Sequence, residues 1–329
     1  MTSVPEFEEL AAPRHILQPA TAAQIWVALV TVYLVWGSTY LGLKVATETM
    51  PPQLALGFRF LVAGTILAGI VALRRGARAL RVTRRELAGA ALVGVMLLGI
   101  GMSALAIGQA YVPTGVAALL IAVTPVFIAL LRLGSGDRPS LVTWLGIGVG
   151  LAGIAVLVRP GSDIAGVAGA TPQERAFWSL MIVLGSASWA IGSFLQQRIP
   201  TPRDTAVMST YEMLAGGIAL VLAGMLRGER WPDLLDASAR SWGGWVYLVT
   251  AGSLIGFSAF VWLIDHAPIS LASTYAYVNP VVAVALGTLV LGESLTSGVL
   301  VGGAVIVGGV ALVVSGERFT RRARAEPDG

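Results

Sequence analysis

Charged residues are scarce in this sequence. Asp, Glu, Lys and Arg make up only 12% of its 329 residues, whereas hydrophobic residues make up 56%. A soluble protein needs roughly a quarter of its residues charged to cover its surface, so water is excluded as the main solvent around the folded chain. The composition instead predicts an integral membrane protein whose outer surface faces the lipid bilayer.

Cysteine is absent altogether. Its absence excludes disulfides, iron–sulfur clusters, cysteine zinc sites and thiolate nucleophiles. Only two histidines occur, His15 and His266, which is too few for most metal sites. No HExxH motif, Walker lysine or Ser/His/Asp set is found either. The sequence therefore predicts neither an enzyme nor a protein with a cofactor or a bound metal, and no soluble domain offers a nucleotide site for an ATP-driven pump.

The positive charges do not indicate a nucleic-acid partner. The net charge is +4, but the arginines are concentrated in short segments between apolar runs, where membrane topology accounts for them. No nucleic acid is therefore expected among the partners.

Ten apolar runs are long enough to cross a bilayer as helices, which takes about 20 residues each. Since a helix satisfies its own backbone hydrogen bonds, as lipid requires, the predicted fold is an all-α membrane protein with ten transmembrane helices. The runs cover residues 24–47, 53–73, 86–108, 113–133, 140–158, 174–197, 204–226, 241–264, 269–291 and 296–315. Residues 1–23 are predicted to be a disordered N-terminal tail, and residues 316–329 a basic C-terminal tail.

The arginines also predict the orientation of the helices, because short cytoplasmic loops carry an excess of Lys and Arg. With a cytoplasmic N-terminus, fifteen arginines fall on the cytoplasmic side and five on the other side. Both tails are therefore predicted to be cytoplasmic.

The two halves of the sequence repeat each other. Without a gap, Trp36 aligns with Trp189 and Arg59 aligns with Glu212. Each copy holds five spans, an odd number, so the second copy enters the membrane from the opposite side. Inverted repeats of this kind recur in secondary transporters, whose substrate site lies near the midplane between the copies. The predicted repeats are 24–158 and 174–315.

A proline interrupts the fourth and the ninth run at matching positions, Pro125 in "IAVTPVFIAL" and Pro280 in "YAYVNPVVAV". A single proline in a membrane helix is often only a kink, but interrupted segments at corresponding places in two halves indicate a transport site. The second proline also lies beside Tyr275, Tyr277 and Asn279, which bring hydroxyls and an amide to membrane depth. Pro125 and Pro280 are therefore predicted to be hinges beside a substrate cavity.

Arg59 and Glu212 are charged residues that lie within spans rather than at their ends. A charge at membrane depth is costly and usually faces the bundle interior or a water-filled cavity. Their opposite signs permit a structural ion pair across the pseudo-two-fold axis. The functional interpretation makes Arg59 a binder of carboxylate or phosphate and Glu212 a protonatable group that couples transport to protons. The sequence leaves both interpretations open. Lys44 and Glu48, four residues apart at the end of the first run, are interpreted as a local pair.

Glycines are frequent in the fifth and tenth runs, in "GIGVGLAGI" (146–154) and "GGAVIVGG" (302–309). Small residues let membrane helices approach closely. These faces are therefore predicted to pack against other helices or to form a homodimer through spans five and ten.

A Trp-Gly-Ser motif, Trp36 to Ser38, and an Arg-Phe pair, Arg59 and Phe60, lie in the stretch "YLVWGSTYLGLKVATETMPPQLALGFRFLVAGTIL" (33–67). This stretch resembles the EamA family of the drug/metabolite transporter superfamily. The resemblance continues through "PTGVAALLIAVTPVF" and "ASTYAYVNPVVAVALGTLVLGES". It implies ten helices with both termini inside, and efflux of amino acids, related metabolites or toxic compounds through a central cavity.

These observations together predict a secondary active transporter of the bacterial inner membrane, which exports a small organic solute by alternating access. A carrier of phosphorylated or nucleotide sugars is an alternative, although only Arg59 and Lys44 could supply the basic cluster that it needs. A membrane protein without transport activity is another alternative. The residues predicted to line the substrate cavity are Trp36, Tyr40, Gln109, Trp189, Tyr275, Tyr277 and Asn279.

Overall fold

The structure, a computed structural model, describes residues 20–133, 140–158, 167, 169–196, 198–267 and 274–325. Throughout these residues the chain forms helices joined by short turns, and no strand occurs among them. The predicted all-α fold is therefore confirmed for this part of the chain. Residues 1–19 of the predicted N-terminal tail and 326–329 of the C-terminal tail lie outside the described residues.

Fourteen α-helices follow one another in the described residues, together with two π-helical segments that we name π1 and π2. A short 3-10 turn, Ala77–Leu80, joins the second and third α-helices. The bounds are α1 Ala22–Ala46, α2 Pro52–Arg75, α3 Arg84–Gly94, π1 Val95–Gly101, α4 Met102–Gly108, α5 Thr114–Ile121, α6 Thr124–Leu133, α7 Leu141–Val158, α8 Pro172–Gln196, α9 Thr205–Leu226, α10 Trp231–Leu235, α11 Ala239–Tyr247, π2 Leu248–Gly256, α12 Phe257–His266, α13 Tyr275–Leu291 and α14 Ser297–Ala325.

Within the described residues, seven helical stretches are long and apolar enough to cross a membrane. They are Ala22–Ala46, Pro52–Arg75, Arg84–Gly108, Thr114–Leu131, Pro172–Gln196, Thr205–Leu226 and Ala239–Phe260. Three further apolar helices are shorter, Leu141–Val156, Val278–Leu291 and Ser297–Val313. All of these stretches coincide with predicted runs, but the number of ten membrane crossings stays a prediction. The predicted C-terminal tail begins as helix, since α14 continues to Ala325.

The equivalent helices α2 and α9 pack face to face through glycines. A Cβ added at Gly57 would lie 2.6 Å from Val221 Cγ2, and one added at Gly64 would lie 3.1 Å from Met213 Cβ. Residue numbers therefore rise along α2 as they fall along α9, so the two helices are antiparallel. Equivalent helices that run in opposite directions are consistent with an inverted repeat.

The two π-helical segments stand at equivalent places in the two halves. π1 begins at Val95 and π2 at Leu248, which are as far apart in the sequence as Trp36 and Trp189. π1 packs against α8 and α9, and π2 packs against α1 and α2. Each segment thus contacts helices of the opposite half. Such turns are rare in proteins and occur frequently at functional sites.

The glycines of α7 and α14 face each other within the chain. A Cβ added at Gly153 would lie 2.7 Å from Ile306 Cγ1, and one added at Gly309 would lie 2.5 Å from the amide nitrogen of Gly150. Close packing of the two helices therefore uses these glycines. A homodimer through spans five and ten stays a prediction, but the glycine faces that suggested it are occupied inside one chain.

Two carboxylates hold the N-termini of helices. Glu293 accepts hydrogen bonds from the amides of Thr114 and Gly115 at the start of α5, at 2.7 and 3.3 Å. Glu229 accepts two backbone amides at the start of α2, at 3.2 and 2.8 Å. The first amides of a helix have no partner within the helix and carry partial positive charge, so carboxylates stabilise them.

Candidate functional site

An aromatic cluster surrounds Trp36 where α1, α12 and α13 meet. The ring centroid of Trp36 lies 4.7 Å from that of Phe260 and 5.3 Å from that of Tyr275. Helix α13 approaches α1 this closely because Gly37 has no side chain, since a Cβ there would lie 2.6 Å from Val282 Cβ. The predicted residues Trp36 and Tyr275 are therefore brought together from the two halves.

The segment π2 supports two side chains of the first half. Trp36 Nε1 donates to the carbonyl oxygen of Gly252 at 3.3 Å, and Arg59 Nε donates to Ser253 Oγ at 3.0 Å. Gly252 also leaves space for the guanidinium, because a Cβ at this position would lie 3.0 Å from Arg59 Nη2 and 2.9 Å from Thr39 Cγ2. One backbone turn thus supports both Trp36 and Arg59.

Arg59 is a buried cation, with only 5% of its surface exposed. Its Nη1 atom has no hydrogen-bond partner in the described part of the chain, and Arg59 forms no ion pair with the residues described there. Burying a charge without an ion pair costs several kcal/mol, of which the ring of Phe60, whose centroid lies 4.9 Å from the guanidinium carbon, offsets only a part. The guanidinium is a planar donor that suits a carboxylate, so an anionic ligand at Nη1 would offset this cost.

Glu212 does not pair with Arg59, which corrects the structural interpretation of these two charges. Glu212 is 4% exposed, and its Oε1 has no hydrogen-bond partner among the described residues. Each charge is the eighth residue of its helix, α2 or α9. Because these helices are antiparallel, the two charges lie about six residues, or roughly 9 Å, apart along the helix axes. An ion pair between equivalent residues of the two antiparallel helices would require both residues to lie at the midpoint of the α2–α9 contact.

Gln109 connects the end of α4 to α1. Its side chain is fully buried, and its Nε2 donates to the carbonyl oxygen of Tyr40 at 3.1 Å. Its Oε1 has no partner within the residues that the structure describes. Tyr40 follows Trp36 by one helical turn. The structure thus places the predicted residues Gln109 and Tyr40 next to each other, one turn along α1 from the aromatic cluster.

The expected pair of Lys44 with Glu48 is not formed. Lys44 Nζ donates to the carbonyl oxygen of Gln109, whereas Glu48 pairs with Arg240 at 3.2 Å. The reason is local, because α1 ends at Ala46. Glu48 therefore lies beyond the helix, where the spacing of four residues no longer places two side chains on one face.

Trp189 lies beside π1, away from the aromatic cluster. It is half-buried on α8, and its Cε3 would lie 3.5 Å from a Cβ added at Gly101, the last residue of π1. Among the residues described, its ring makes no contact with the rings of the Trp36 cluster. Trp189 thus stands beside π1 as Trp36 stands beside π2.

Asn279 adds a buried amide one turn after Tyr275 on α13. It is 5% exposed, and its Oδ1 lacks a hydrogen-bond partner among the residues with described positions. The side chain of Tyr277, the remaining predicted residue of this helix, lies outside the described part of the structure. Asn279 therefore offers an unused acceptor next to the helix turn that carries Tyr275.

The two matched prolines differ in their effect on the helix. α5 ends at Ile121 and α6 begins at Thr124, so the helix is interrupted directly before Pro125. The hydroxyl of Thr124 donates to the Ile121 carbonyl at 2.7 Å, which replaces a lost helical bond. Pro280 instead lies within the continuous helix α13, close to its start at Tyr275. The interruption is therefore present at Pro125, whereas α13 is not interrupted at Pro280.

Gly252 and Ser253 were not among the residues predicted from the sequence. They lie in an apolar run in which small residues are common, so no pattern distinguished them. A second missed contact involves the hydroxyls of Ser38 and Tyr247, which lie 2.5 Å apart. Ser38 belongs to the Trp-Gly-Ser motif, which was the one available signal for this contact.

Comparison with known proteins identifies the class of this chain. A family model described as the EamA-like transporter family matches residues 23–159 and 176–315. The chain therefore belongs to the EamA-like transporter family, within the drug/metabolite transporter superfamily, and is a membrane transporter.

Several relatives match over nearly the whole chain. YedA, an uncharacterized inner membrane transporter of Escherichia coli K12, is 36% identical over 291 residues, which cover 88% of this chain and 90% of YedA. A probable terminal-alkyne amino-acid exporter of Streptantibioticus cattleyicolor is 28% identical over 310 residues, which cover 92% of this chain and 97% of the exporter. These relatives support a multi-pass inner membrane protein.

A solved structure shares the fold. A crystal structure with 20% sequence identity covers 91% of this chain and 99% of its own chain, with a TM-score of 0.60.

Proposed function

We propose that this transporter is a secondary active exporter of small organic solutes such as amino acids, related metabolites or drugs. The observation that carries the proposal is a group of buried polar atoms without partners in the described part of the chain. Four of these atoms belong to the predicted site residues, namely Arg59 Nη1, Gln109 Oε1, Glu212 Oε1 and Asn279 Oδ1, and Gln53 Oε1 and Thr114 Oγ1 also lack partners there. Unsatisfied polar groups are rare in protein interiors, and ionisable groups at membrane depth are typical of transport pathways.

Alternating access is the proposed mechanism, with ten spans arranged as two inverted repeats and both termini in the cytoplasm. The substrate would bind between the halves, beside Trp36, Arg59 and Tyr275. The interruption before Pro125 and the proline in α13 would let the helices bend during the exchange of states. The antiparallel packing of α2 and α9 supports this arrangement.

Amino acids are the favoured substrate class. Arg59 supplies a donor for a carboxylate, and the rings around Trp36 supply an apolar wall. The relative from Streptantibioticus cattleyicolor is named as a probable amino-acid exporter, which supports both the class and the direction. Export coupled to protons would use Glu212, whose carboxylate is buried and forms no ion pair with the residues that the structure describes.

A carrier of phosphorylated or nucleotide sugars is less well supported. Such a substrate needs several cations, and the two candidates in the sequence are Arg59 and Lys44. Lys44 donates a hydrogen bond to the Gln109 carbonyl, so Arg59 is the remaining candidate cation for the proposed site.

Counterflow tests the proposal. Proteoliposomes that hold the purified protein are preloaded in turn with unlabelled amino acids and cationic drugs, and the same labelled solute is offered outside. We expect accumulation of one class, and its loss in the Asn279→Leu variant but not in Ser140→Ala, whose hydroxyl lies at the start of α7. If the folded wild-type protein accumulates none of the tested solutes, the proposed substrate classes are contradicted.

A further inference from the structure

Each π-helical segment packs against the helix of the opposite half that carries a buried charge. π2, in the second half, packs against α2, which carries Arg59. π1, in the first half, packs against α9, which carries Glu212. A Cβ added at Gly94, directly before π1, would lie 2.3 Å from the carbonyl oxygen of Glu212. Each π-helical segment therefore packs against the helix that carries the buried charge of the other half.

Each π-helical segment also accepts a hydrogen bond from the equivalent helix of the opposite half. Trp36 on α1 donates to the Gly252 carbonyl of π2 at 3.3 Å, and Ser188 on α8 donates to the Met96 carbonyl of π1 at 2.9 Å. A π-helical turn displaces backbone carbonyls from the α-helical register, and in lipid these groups need partners. The two segments are thus equivalent in the two halves. Each is hydrogen-bonded to a helix that carries residues predicted to line the substrate cavity.

We propose that Gly252 and Ser253 of π2 are positioning residues that aim Arg59 at the carboxylate of the substrate. Ser253 fixes the Nε edge of the guanidinium, and Gly252 provides the space that Nη2 occupies. The Nη1 atom is thereby left without a partner among the described residues and available to a ligand, and the same turn accepts the indole N–H of Trp36. The inference rests on the proposed function, and it assigns the preference for carboxylate-bearing solutes to this turn of π2.

The test compares a carboxylate with its uncharged counterpart. Counterflow is measured with L-leucine and L-phenylalanine and with their carboxamides, and the half-saturating concentration is determined for each. In Ser253→Ala, we expect this concentration to rise roughly tenfold for the amino acids, since a hydrogen bond to a charged group is lost. The value for the carboxamides should stay unchanged, because they do not depend on the charge of Arg59.

Matched variants separate positioning from a general effect on the fold. Ser253→Thr keeps the hydroxyl and should restore the wild-type values. Thr250→Val removes a hydroxyl of the same segment that donates to the Val246 carbonyl, and it should change neither solute class. Gly252→Ala should act like Ser253→Ala, whereas Gly243→Ala should not, because no atom lies within 4 Å of a Cβ added at Gly243.

The possible outcomes distinguish this inference from the proposed function. If the folded wild type carries neither amino acids nor carboxamides, the proposed amino-acid substrate and the inference both fail. If the wild type carries amino acids but Ser253→Ala and Gly252→Ala leave the preference over carboxamides unchanged, only the inference fails. An equal loss for both solute classes would also overturn it, since that result indicates a structural role alone.

Discussion

At the scale of single residues, Arg59 combines burial, charge and an unused donor. It lies at 5% exposure, it is held by Ser253 through one nitrogen, and its Nη1 is free of described partners. A residue kept in such a position reduces stability and is therefore expected to serve the site. The same reasoning applies to the carboxylate of Glu212, which is buried to a similar degree.

Replacing Arg59 by methionine should stabilise the protein and abolish transport. Methionine fills a similar volume without a buried charge, so the gain in the free energy of unfolding should be about 1–2 kcal/mol. Thermal unfolding in detergent gives the change in Tm, and counterflow gives the activity. Arg78→Met is the control, because Arg78 is exposed, and it should alter neither quantity. A strong decrease of Tm in Arg59→Met would show that Arg59 is mainly structural.

Glu212→Gln should make transport independent of pH. Glutamine has nearly the same shape but cannot release a proton, so the coupling step would be lost while the packing remains. Uptake is measured at several external pH values in vesicles, with Asp236→Asn as the control because Asp236 lies exposed after α10. The hypothesis of proton coupling through Glu212 fails if the variant keeps the wild-type pH dependence.

At the scale of helices, glycine contacts determine which faces can meet. The α7–α14 contact is the clearest case, because the Cβ of an alanine at position 309 would press on the backbone of Gly150 rather than on a flexible side chain. The preceding residue, Gly308, has no atom within 4 Å of its added Cβ. The two neighbouring glycines therefore allow a matched comparison.

Gly309→Ala should destabilise the protein by about 1–3 kcal/mol, since α7 and α14 must move apart. Gly308→Ala should be neutral or slightly stabilising, because alanine favours the helix without meeting an obstacle. Thermal unfolding of both variants provides the measurement. Equal effects at positions 308 and 309 would contradict the α7–α14 contact.

Glu293→Gln should weaken the connection between α13 and α5. The carboxylate accepts the amides of Thr114 and Gly115, and its loss should cost about 1 kcal/mol. Tm is compared with that of Asp236→Asn, an exposed carboxylate at which no change is expected. An unchanged Tm in Glu293→Gln would argue against this role of Glu293.

The helices could be predicted from the sequence because a membrane span needs only length and apolar composition. The helix break before Pro125 was likewise signalled by residue type. π1 and π2 could not be predicted, since Val, Leu and Gly occur equally in α-helical spans. The sequence left open whether Arg59 pairs with Glu212, because sequence equivalence gives the position of a residue along its own helix but not its level in the packed helix pair; no such ion pair is formed among the described residues.

At the scale of the whole molecule, the two halves are interlocked rather than side by side. Helices α1 and α2 of the first half contact π2 of the second half, and α8 and α9 contact π1 of the first. The site beside Trp36 consequently contains groups from both halves, as alternating access between two repeats requires.

Access to Asn279 from the two sides of the membrane tests this account most directly. The chain has no cysteine of its own, so Asn279→Cys carries a single thiol, which a membrane-impermeant reagent labels in sealed vesicles of either orientation. Arg78→Cys and Asp236→Cys are one-sided controls, expected to react only from the cytoplasmic and only from the opposite side. The account predicts that Asn279→Cys reacts from both sides, because the loss of the Asn279 amide weakens solute binding but leaves the exchange between the two states in place. Labelling from one side only would contradict it.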